Sequence, residues 1–401
     1  MSTTSTARLC PGCDLPVLPK VAQHGQSAYC PRCKTRLYRG GSRLFSAELA
    51  IALACLILFI PAHIFPMITI RLFGVMIPAT IVSGTFTLAP EFPLVAGLIL
   101  FCSSIAPLLV CLSVLGAQYG LQRRQFRLFK SSLWIIEHFK YWAMFDVFLV
   151  SLAISCFKVQ DYADIFVGPG LYSLVILQIL LSLLLTRISI NHYWEAWQPE
   201  TDHKRESITH HCHTCHMSQS KHDHCVRCHT PLHKRMPHSI QKTWAYLIAA
   251  SIFIFPANLY PISIFLNNGK RAEDTIFSGV ASLIKQDMHG IAIIIFVASI
   301  VVPLAKILGL ALILLMIQFK RKVNHLLRMR VYRFIQWIGK WSMMDLFVIS
   351  IMVALIDREQ LLDFTPGPGA IAFGVVVVLT MLAAESLDSR LIWDNYEHRT
   401  K

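Results

Sequence analysis

The sequence predicts an all-α polytopic membrane protein. It is arranged as two tandem modules of four membrane-spanning helices, each preceded by a small cysteine ribbon. Three observations predict this. The 401 residues are 55% hydrophobic and only 15% charged, with a mean hydropathy of +0.53, whereas soluble domains sit near 45–50% apolar and about 25% charged. The apolar residues gather in runs long enough to cross a bilayer, for which about 20 residues suffice. The chain also repeats itself. "PAHIFPMIT" (61–69) answers "PANLYPISI" (256–264), "TIVSG" (80–84) answers "TIFSG" (275–279), and "YWAMFDVFLVS" (141–151) answers "KWSMMDLFVIS" (340–350). "GPG" recurs at 168 and 367, and the offsets stay between 195 and 202 residues.

The first element, residues 1–40, is polar and unlike a secretory signal peptide. Its "CPGC" (Cys10, Cys13) and "CPRC" (Cys30, Cys33) bracket 16 residues. Paired CxxC knuckles set four thiolates for tetrahedral coordination, the pattern of a structural zinc ribbon. A second set, "CHTC" (Cys212, Cys215) and "CVRC" (Cys225, Cys228), brackets nine residues within 200–238. Disulfides are disfavoured in a reducing compartment, and a thioredoxin-like site would need a single CxxC opening a helix in an α/β domain. Iron remains compatible with the ligand type. Four cysteines leave zinc no open position for water, so both sites read as structural and as suppliers of folding energy. The second ribbon also carries His210, His211, His213, His216, His222, His224 and His229. They read as a solvated basic surface, with metal sensing as the alternative. Cys55, Cys102, Cys111 and Cys156 fall in apolar spans, where cysteine acts as a small hydrophobe.

The first membrane module (41–195) holds spans near 44–66, 94–118, 134–157 and 171–190. The second (239–390) holds 243–265, 291–317, 334–356 and 370–387, followed by a tail at 391–401. Four spans return each repeat to its starting side, so the halves are parallel rather than inverted. After spans one and five, "MITIRLFGVMIPATIV" and "ISIFLNNGKRAEDTIFSG" are too short for domains. Their β-branched residues around a central glycine predict small extracytoplasmic hairpins.

The formal charge of +14 belongs to loops rather than to a nucleic-acid surface, because no basic stripe with interleaved aromatics is present. Arg123, Arg124, Arg127 and Lys130 join spans two and three, and Lys320, Arg321, Lys322, Arg328, Arg330 and Arg333 join spans six and seven. The opposite loops hold only Arg71, Lys270, Arg271 and Lys285, with Lys158 and Arg358 at helix ends. By the positive-inside rule both termini and the central segment are cytoplasmic.

One residue breaks the apolar pattern. In "ASIVVPLAKILGLALILLMI" (298–317), Lys306 lies two residues from the midpoint of span six, roughly 3 Å along the axis. With a hydrocarbon half-thickness of about 15 Å, its stem cannot reach water. Facing lipid would cost at least about 2.5–3.5 kcal/mol, so it must face the bundle interior or a wet cavity. Asp345 on span seven lies at a similar depth, both being roughly 18–21 Å from the cytoplasmic end. Ser342 shares the face of Asp345, and Pro303 frees the carbonyl of Ser299, two turns from Lys306 on one face. Thr380 on span eight adds a hydroxyl. These residues form a candidate polar seam, read either as a proton relay or as a static pair fixing helix register. The repeat is an internal control: Asp146 matches Asp345, but Val110, Ala143 and Leu181 stand where Lys306, Ser342 and Thr380 do. The first module keeps the aspartate and loses the rest, so the fold does not require the seam. Asp161 and Asp164, at the mouth of the first module, read as loop carboxylates or as an extension of the path.

No GxSxG elbow, HExxH or phosphate-cradling glycine loop is present. The chain reads as a non-enzyme whose transport energy comes from an ion gradient or another subunit.

"SAYCPRC", "VQDYADI", "PANLYPISI", "EDTIFSG", "SIVVPLAK", "WSMMDLFVIS" and "LDSRLIWD" together resemble the paraquat-inducible protein A family over nearly the whole chain. The resemblance implies tetraspanin-like four-helix modules, cytoplasmic zinc ribbons and a bacterial inner-membrane location. It also implies partnership with a periplasmic MCE-domain tunnel protein, together moving phospholipids between the inner and outer membranes. The polar residues singled out in the family fall here on Asp161, Ser299, Lys306, Ser342, Asp345 and Thr380. The histidine-dense second ribbon departs from the family pattern. A non-transporting anchor for the tunnel and a proton-coupled small-molecule exporter are the alternative functions.

Overall fold

The computed structural model describes residues 8–18, 23, 26–39, 45–72, 75–159, 164–198, 209–267, 270–285, 287–320, 325–356 and 362–394. The chain is mostly helical. The first ribbon is two small hairpins, β1 (Arg8–Leu9) with β2 (Pro16–Val17) and β3 (Ser27–Tyr29) with β4 (Arg36–Arg39). The first half then runs α1 (Phe45–Ile64), β5 (Ile68–Leu72), β6 (Val75–Ala79), α2 (Ile81–Leu88), α3 (Pro93–Leu100), α4 (Ala106–Gln122), α5 (Phe126–Phe139), α6 (Phe145–Val159), β7 (Asp164–Val167), α7 (Pro169–Arg187) and α8 (Ile190–Trp197). The second ribbon carries β8 (His210–His211) and β9 (Ser218–Gln219). The second half repeats the order with α9 (Ser239–Leu259), β10 (Ser263–Asn267), β11 (Lys270–Asp274), α10 (Ile276–Lys285), α11 (His289–Phe296), α12 (Val302–Gln318), α13 (His325–Ile338), α14 (Met344–Ile356), β12 (Leu362–Pro366) and α15 (Pro368–Ser386).

Among the described residues, seven helical stretches are long and apolar enough to cross a membrane, which makes this a multi-pass membrane protein. The expected third span, 134–157, is not one helix. α5 ends at Phe139 and α6 begins at Phe145, leaving a short apolar helix. The equivalent break in the second half is a 3-10 turn at Gly339–Met343 between α13 and α14. Both restarted helices open with an aspartate in their first turn, Asp146 and Asp345, where a carboxylate complements the helix dipole. That accounts for its presence in both halves.

Spans two and six share another irregularity. Each contains a π turn, Phe101–Ile105 or Val297–Val301, directly before the helix with proline near its start. Pro107 and Pro303 have no N–H to donate, so the i to i−4 ladder is interrupted at the same place in both repeats.

The two expected hairpins form, and each gains a third strand that the sequence reading did not foresee. The sheets run β6-β5-β7 and β11-β10-β12, all antiparallel. "GPG" locks them to the helices. The Gly168 and Gly170 amides donate to Met67 O and Pro66 O, each at 3.0 Å, and those of Gly367 and Gly369 to Ile262 O at 2.9 Å and Pro261 O at 3.0 Å. A Cβ at Gly367 would overlap the Pro261 carbonyl. We expect Gly367→Ala to destabilise the detergent-solubilised protein by about 1–3 kcal/mol, as overpacking does, read as a fall in Tm. Gly279→Ala, with nothing within 4 Å of the added methyl, should be neutral or mildly stabilising.

The halves meet along α6 and α14. Phe148 and Phe347, equivalent in the repeat, stack edge to face with centroids 5.5 Å apart, as equivalents do beside a two-fold axis. Ser151 Oγ donates to Met344 O at 3.0 Å, Gly84 gives α2 room against the Ser350 carbonyl, and Lys340 forms an ion pair with Asp146 across the joint.

The ribbons are exchanged between the halves. Cys10, Cys13, Cys30 and Cys33 belong to the apolar cluster of the second half, with Met329, Tyr332, Ile335 and Trp393. Cys212, Cys215, Cys225 and Cys228 belong to the larger cluster, which joins Phe129, Leu133, Tyr193 and Trp194 of the first half to residues of the second such as Phe347 and Val376. Polar contacts follow the same crossing. Arg333 donates to Cys33 O and Thr35 Oγ1, both at 2.6 Å, and to Lys34 O at 3.2 Å. Lys130 Nζ donates to Cys228 O at 2.9 Å, and His216 lies 3.4 Å from Glu137. Arg8 pairs with Glu195 at 2.5 Å, tying the first ribbon to its own half as well.

Candidate functional site

Two sites are built from the cysteines. In each knuckle the residue after the second cysteine is left-handed: Asp14 (φ 54°), Lys34 (φ 59°), His216 (φ 55°) and His229 (φ 54°). That turn lets its amide reach back to the carbonyl of the first cysteine, at 2.9, 2.9, 3.0 and 2.9 Å respectively. All four Sγ atoms of each set lie within 4.8 Å of one another, and every cysteine is buried. The closest pairs are 3.4 Å (Cys10–Cys33), 3.6 Å (Cys13–Cys30), 3.5 Å (Cys212–Cys228) and 3.4 Å (Cys215–Cys225). A tetrahedral metal with bonds of about 2.3 Å needs sulfurs about 3.8 Å apart. Both clusters fit a metal ion with little movement. Thr35 and Thr230 place their hydroxyls 3.0 and 2.8 Å from the equivalent sulfurs Cys33 and Cys228, second-tier contacts of the kind that orient metal ligands.

The histidines of the second ribbon divide. His222 and His224 are exposed, as a solvated surface would have them. The structure corrects that reading for three others. His211 is buried, His216 faces Glu137, and Arg390 Nη2 bonds His213. Burial pushes His211 well below the usual histidine range and His213 below it, so they serve as neutral docking groups.

Arg390, in "LDSRLIWD", is the hub of a polar cap beneath the membrane helices. Its Nε and Nη2 each donate to Asp388 at 3.0 Å, and Nη1 reaches Asp14 of the first ribbon at 3.5 Å. Arg235 completes the cap by pairing with Asp14 and Asp394. The motif had carried only a resemblance, and its arginine and aspartates were the signal of a role. Burial alone would raise the Asp388 carboxyl, but the Arg390 bonds outweigh it and hold it below the ordinary range. Such a group stabilises the fold above its ordinary pKa and loses that contribution as pH falls through the folded-state value. The Asp388 carboxyl should therefore add no pH dependence between pH 7 and 5, and its protonation should loosen the cap only below about pH 4, seen as faster hydrogen exchange at 386–393.

The intramembrane residues come next. Lys306 on α12 is 1% exposed. Its amine donates to Gly339 O in the turn between α13 and α14, at 3.5 Å. None of the described hydrogen bonds or ion pairs joins it to Asp345, at whose depth it is expected to lie. Ser299 (2% exposed) donates to Ile295 O at 2.7 Å and Thr380 (0%) to Val377 O at 3.0 Å, both within their own helices. Ser342 Oγ is buried with no hydrogen-bond partner among the described residues. Asp345 is 9% exposed at the start of α14, and Asp161 lies outside the described residues. None of the described hydrogen bonds joins two members of the seam.

The first half is also less bare than the repeat comparison had it. Ser103 stands where Ser299 does, beside Pro107 as Ser299 is beside Pro303. His63 Nε2 lies 3.0 Å from Ser104 Oγ, which lies 3.4 Å from Ser103 Oγ. The histidine within "PAHIFP" was the signal, since an ionisable residue inside a span reads as functional by default. A second missed cluster joins Tyr193 to Glu48 at 2.7 Å, with Gln118 donating to Tyr193 at 3.3 Å.

Comparison with known proteins adds a lineage. The family model described as "PqiA: Paraquat-inducible protein A" matches residues 45–198 and again 240–397, so it recognises both repeats. The chain is 40% identical to "Lipophilic envelope-spanning tunnel protein A" of Escherichia coli K12 over 97% of this chain and 91% of that protein. It is 34% identical to a "Probable intermembrane transport protein" of Haemophilus influenzae over 97% of this chain and 96% of the relative. With "Intermembrane transport protein PqiA" of E. coli K12 it shares 27% identity over 96% and 95%. No solved structure matches it at a significant level.

Proposed function

This chain belongs to the paraquat-inducible protein A family, and from that premise we propose that it is the inner-membrane subunit of an MCE-type lipid transport system. In this reading it passes phospholipids between the inner membrane and a periplasmic, oligomeric MCE-domain tunnel protein. The relatives' names, an envelope-spanning tunnel protein and intermembrane transport proteins, support the transport class. The basic segments on the ribbon side support cytoplasmic termini and ribbons. The closed four-cysteine chemistry supports structural zinc in both clusters. The proposed units are ribbons at 1–40 and 200–238, tetraspanin-like four-helix modules at 41–195 and 239–390, and a tail at 391–401.

The observation that carries a transport role, beyond membership, is Lys306. A lysine 1% exposed, held in mid-helix by one long bond to a carbonyl, with valine at its place in the other half, is costly to keep for packing alone. We assign it the proton-carrying step, with Ser299, Ser342, Asp345, Thr380 and Asp161 as the polar groups along the path. The rival reading, an assembly platform, draws on the placement of Asp146 and Asp345 as helix-starting residues.

The test is reconstitution. A tagged MCE tunnel protein should co-purify with this chain, and the pair in proteoliposomes should transfer labelled phospholipid to acceptor vesicles. Transport of a small solute by this chain alone, with no tunnel protein retained, contradicts the proposal.

A further inference from the structure

Between the halves, at the ribbon end, lies a cavity of about 440 Å³, within the range of small-molecule sites. Its walls come from the break between α5 and α6, the last turns of α7 and α15, and the end of α13 with the turn that follows. Leu185 and Glu385 put its mouth next to the ribbon-side ends of α7 and α15, and Gln178 and Lys306 line it further in along the helices.

Its chemistry is two-sided. Lys140, Arg333 and Lys340 line it against Asp146 and Glu385, an excess of positive charge before Lys306 is counted, and Lys306 also lines it. Asp146 neutralises Lys340. Arg333 gives its described hydrogen bonds to two carbonyls and a hydroxyl, so none of them compensates its charge. Lys140 lies over the Tyr141 ring at 4.8 Å. Gln178 also lines it, its Nε2 donating to Ser182 Oγ at 3.0 Å. The remaining wall is apolar, and Tyr141 and Trp337, 58% and 61% exposed, stand at the rim as amphipathic aromatics do at a membrane interface.

We propose that this cavity binds the phosphodiester headgroup of an anionic phospholipid taken from the ribbon-side leaflet. Lys140, Arg333 and Lys340 face the phosphate. The acyl chains stay along the apolar wall and rim, and Lys306 lies at the inner end. Cationic groups of mixed type around a phosphate are the usual solution for that ligand. A soluble solute would leave the apolar wall and aromatic rim without a partner. This site deepens the transport reading and rests on it, since it names the substrate class and the leaflet of origin.

The test uses the purified full-length chain and needs no tunnel protein. Retained lipid is read by native mass spectrometry after equilibration with phosphatidylcholine micelles containing either phosphatidylglycerol or phosphatidylethanolamine. Phosphatidylglycerol should be retained at least tenfold more strongly. Lys140→Glu should lose at least tenfold of that preference, and Glu385→Gln should strengthen it, so a variant that fails to fold does not end the test. Millimolar inorganic phosphate should not displace the lipid. Equal retention of the two lipids, no change in either variant, or displacement by free phosphate each overturns the site. If lipid transfer with the tunnel protein succeeds while Lys140→Glu retains phosphatidylglycerol like the wild type, the site fails and the transport reading stands. If binding follows the expected pattern and no tunnel partner is found, the reverse holds.

Discussion

Lys306→Met should lower lipid transfer by at least tenfold while leaving the protein as stable as the wild type or more so. The two effects come from the same physics. Lysine and methionine are similar in length, so the replacement fills the space along α12 and leaves no cavity. The amine gives up one 3.5 Å bond to Gly339 O, which is little to lose. Removing a buried charge in favour of a packed apolar group is often neutral or stabilising. A residue kept for register would behave oppositely, because its loss would reduce stability and complex assembly along with transfer. Tm and co-purification therefore separate the two roles. Val110→Lys, which puts an amine at the equivalent place in the first half, should destabilise, since Val110 is fully buried in that half.

Metal removal should unfold each ribbon and loosen the opposite half of the membrane domain. Cys13→Ser leaves three ligands in a cluster whose folding energy comes largely from the metal, on the order of 10 kcal/mol or more for structural zinc in small modules. With the first ribbon unfolded, Arg333 loses its partners at Cys33, Lys34 and Thr35, and Met329 loses its contact near Gly12. Hydrogen exchange should then accelerate in α13, in the second half. Cys215→Ser should instead accelerate exchange in α5, where Lys130 and Glu137 hold the second ribbon. Elemental analysis should give two zinc ions in the wild type and one in either variant. Acceleration confined to the half that follows each ribbon in sequence would contradict the exchanged arrangement.

The legible parts of this fold were those fixed by local rules. Apolar runs gave seven of the eight expected spans among the described residues, β-branched residues around a glycine gave β5–β6 and β10–β11, and CxxC spacing gave both four-cysteine clusters. What escaped depended on where distant segments meet. Lys130 and Arg333 look like ordinary loop charges on a membrane protein, Glu137 falls just inside the expected third span, and nothing local marks any of them as ribbon contacts. β7 is four residues, "DIFV", too short for alternation to register. The break before α6 hides in "HFKYWAMF", which holds no glycine or proline to mark a helix end.

Equal counted depth does not by itself pair Lys306 with Asp345. Depth had been counted at 1.5 Å per residue along straight helices. A π turn at Val297–Val301 precedes Lys306, and a 3-10 turn at Gly339–Met343 precedes Asp345. Each changes both rise and angular phase, so residues at equal counted depth need not face each other. The buried lysine was legible from cost alone; its neighbour was not.

Proton entry and lipid transfer, recorded together in proteoliposomes carrying this chain with its tunnel partner and an entrapped pH dye, test the central claim most directly. The account predicts that an imposed proton gradient drives both in the wild type and that Lys306→Met loses both together. Lipid transfer by Lys306→Met at the wild-type rate would contradict it.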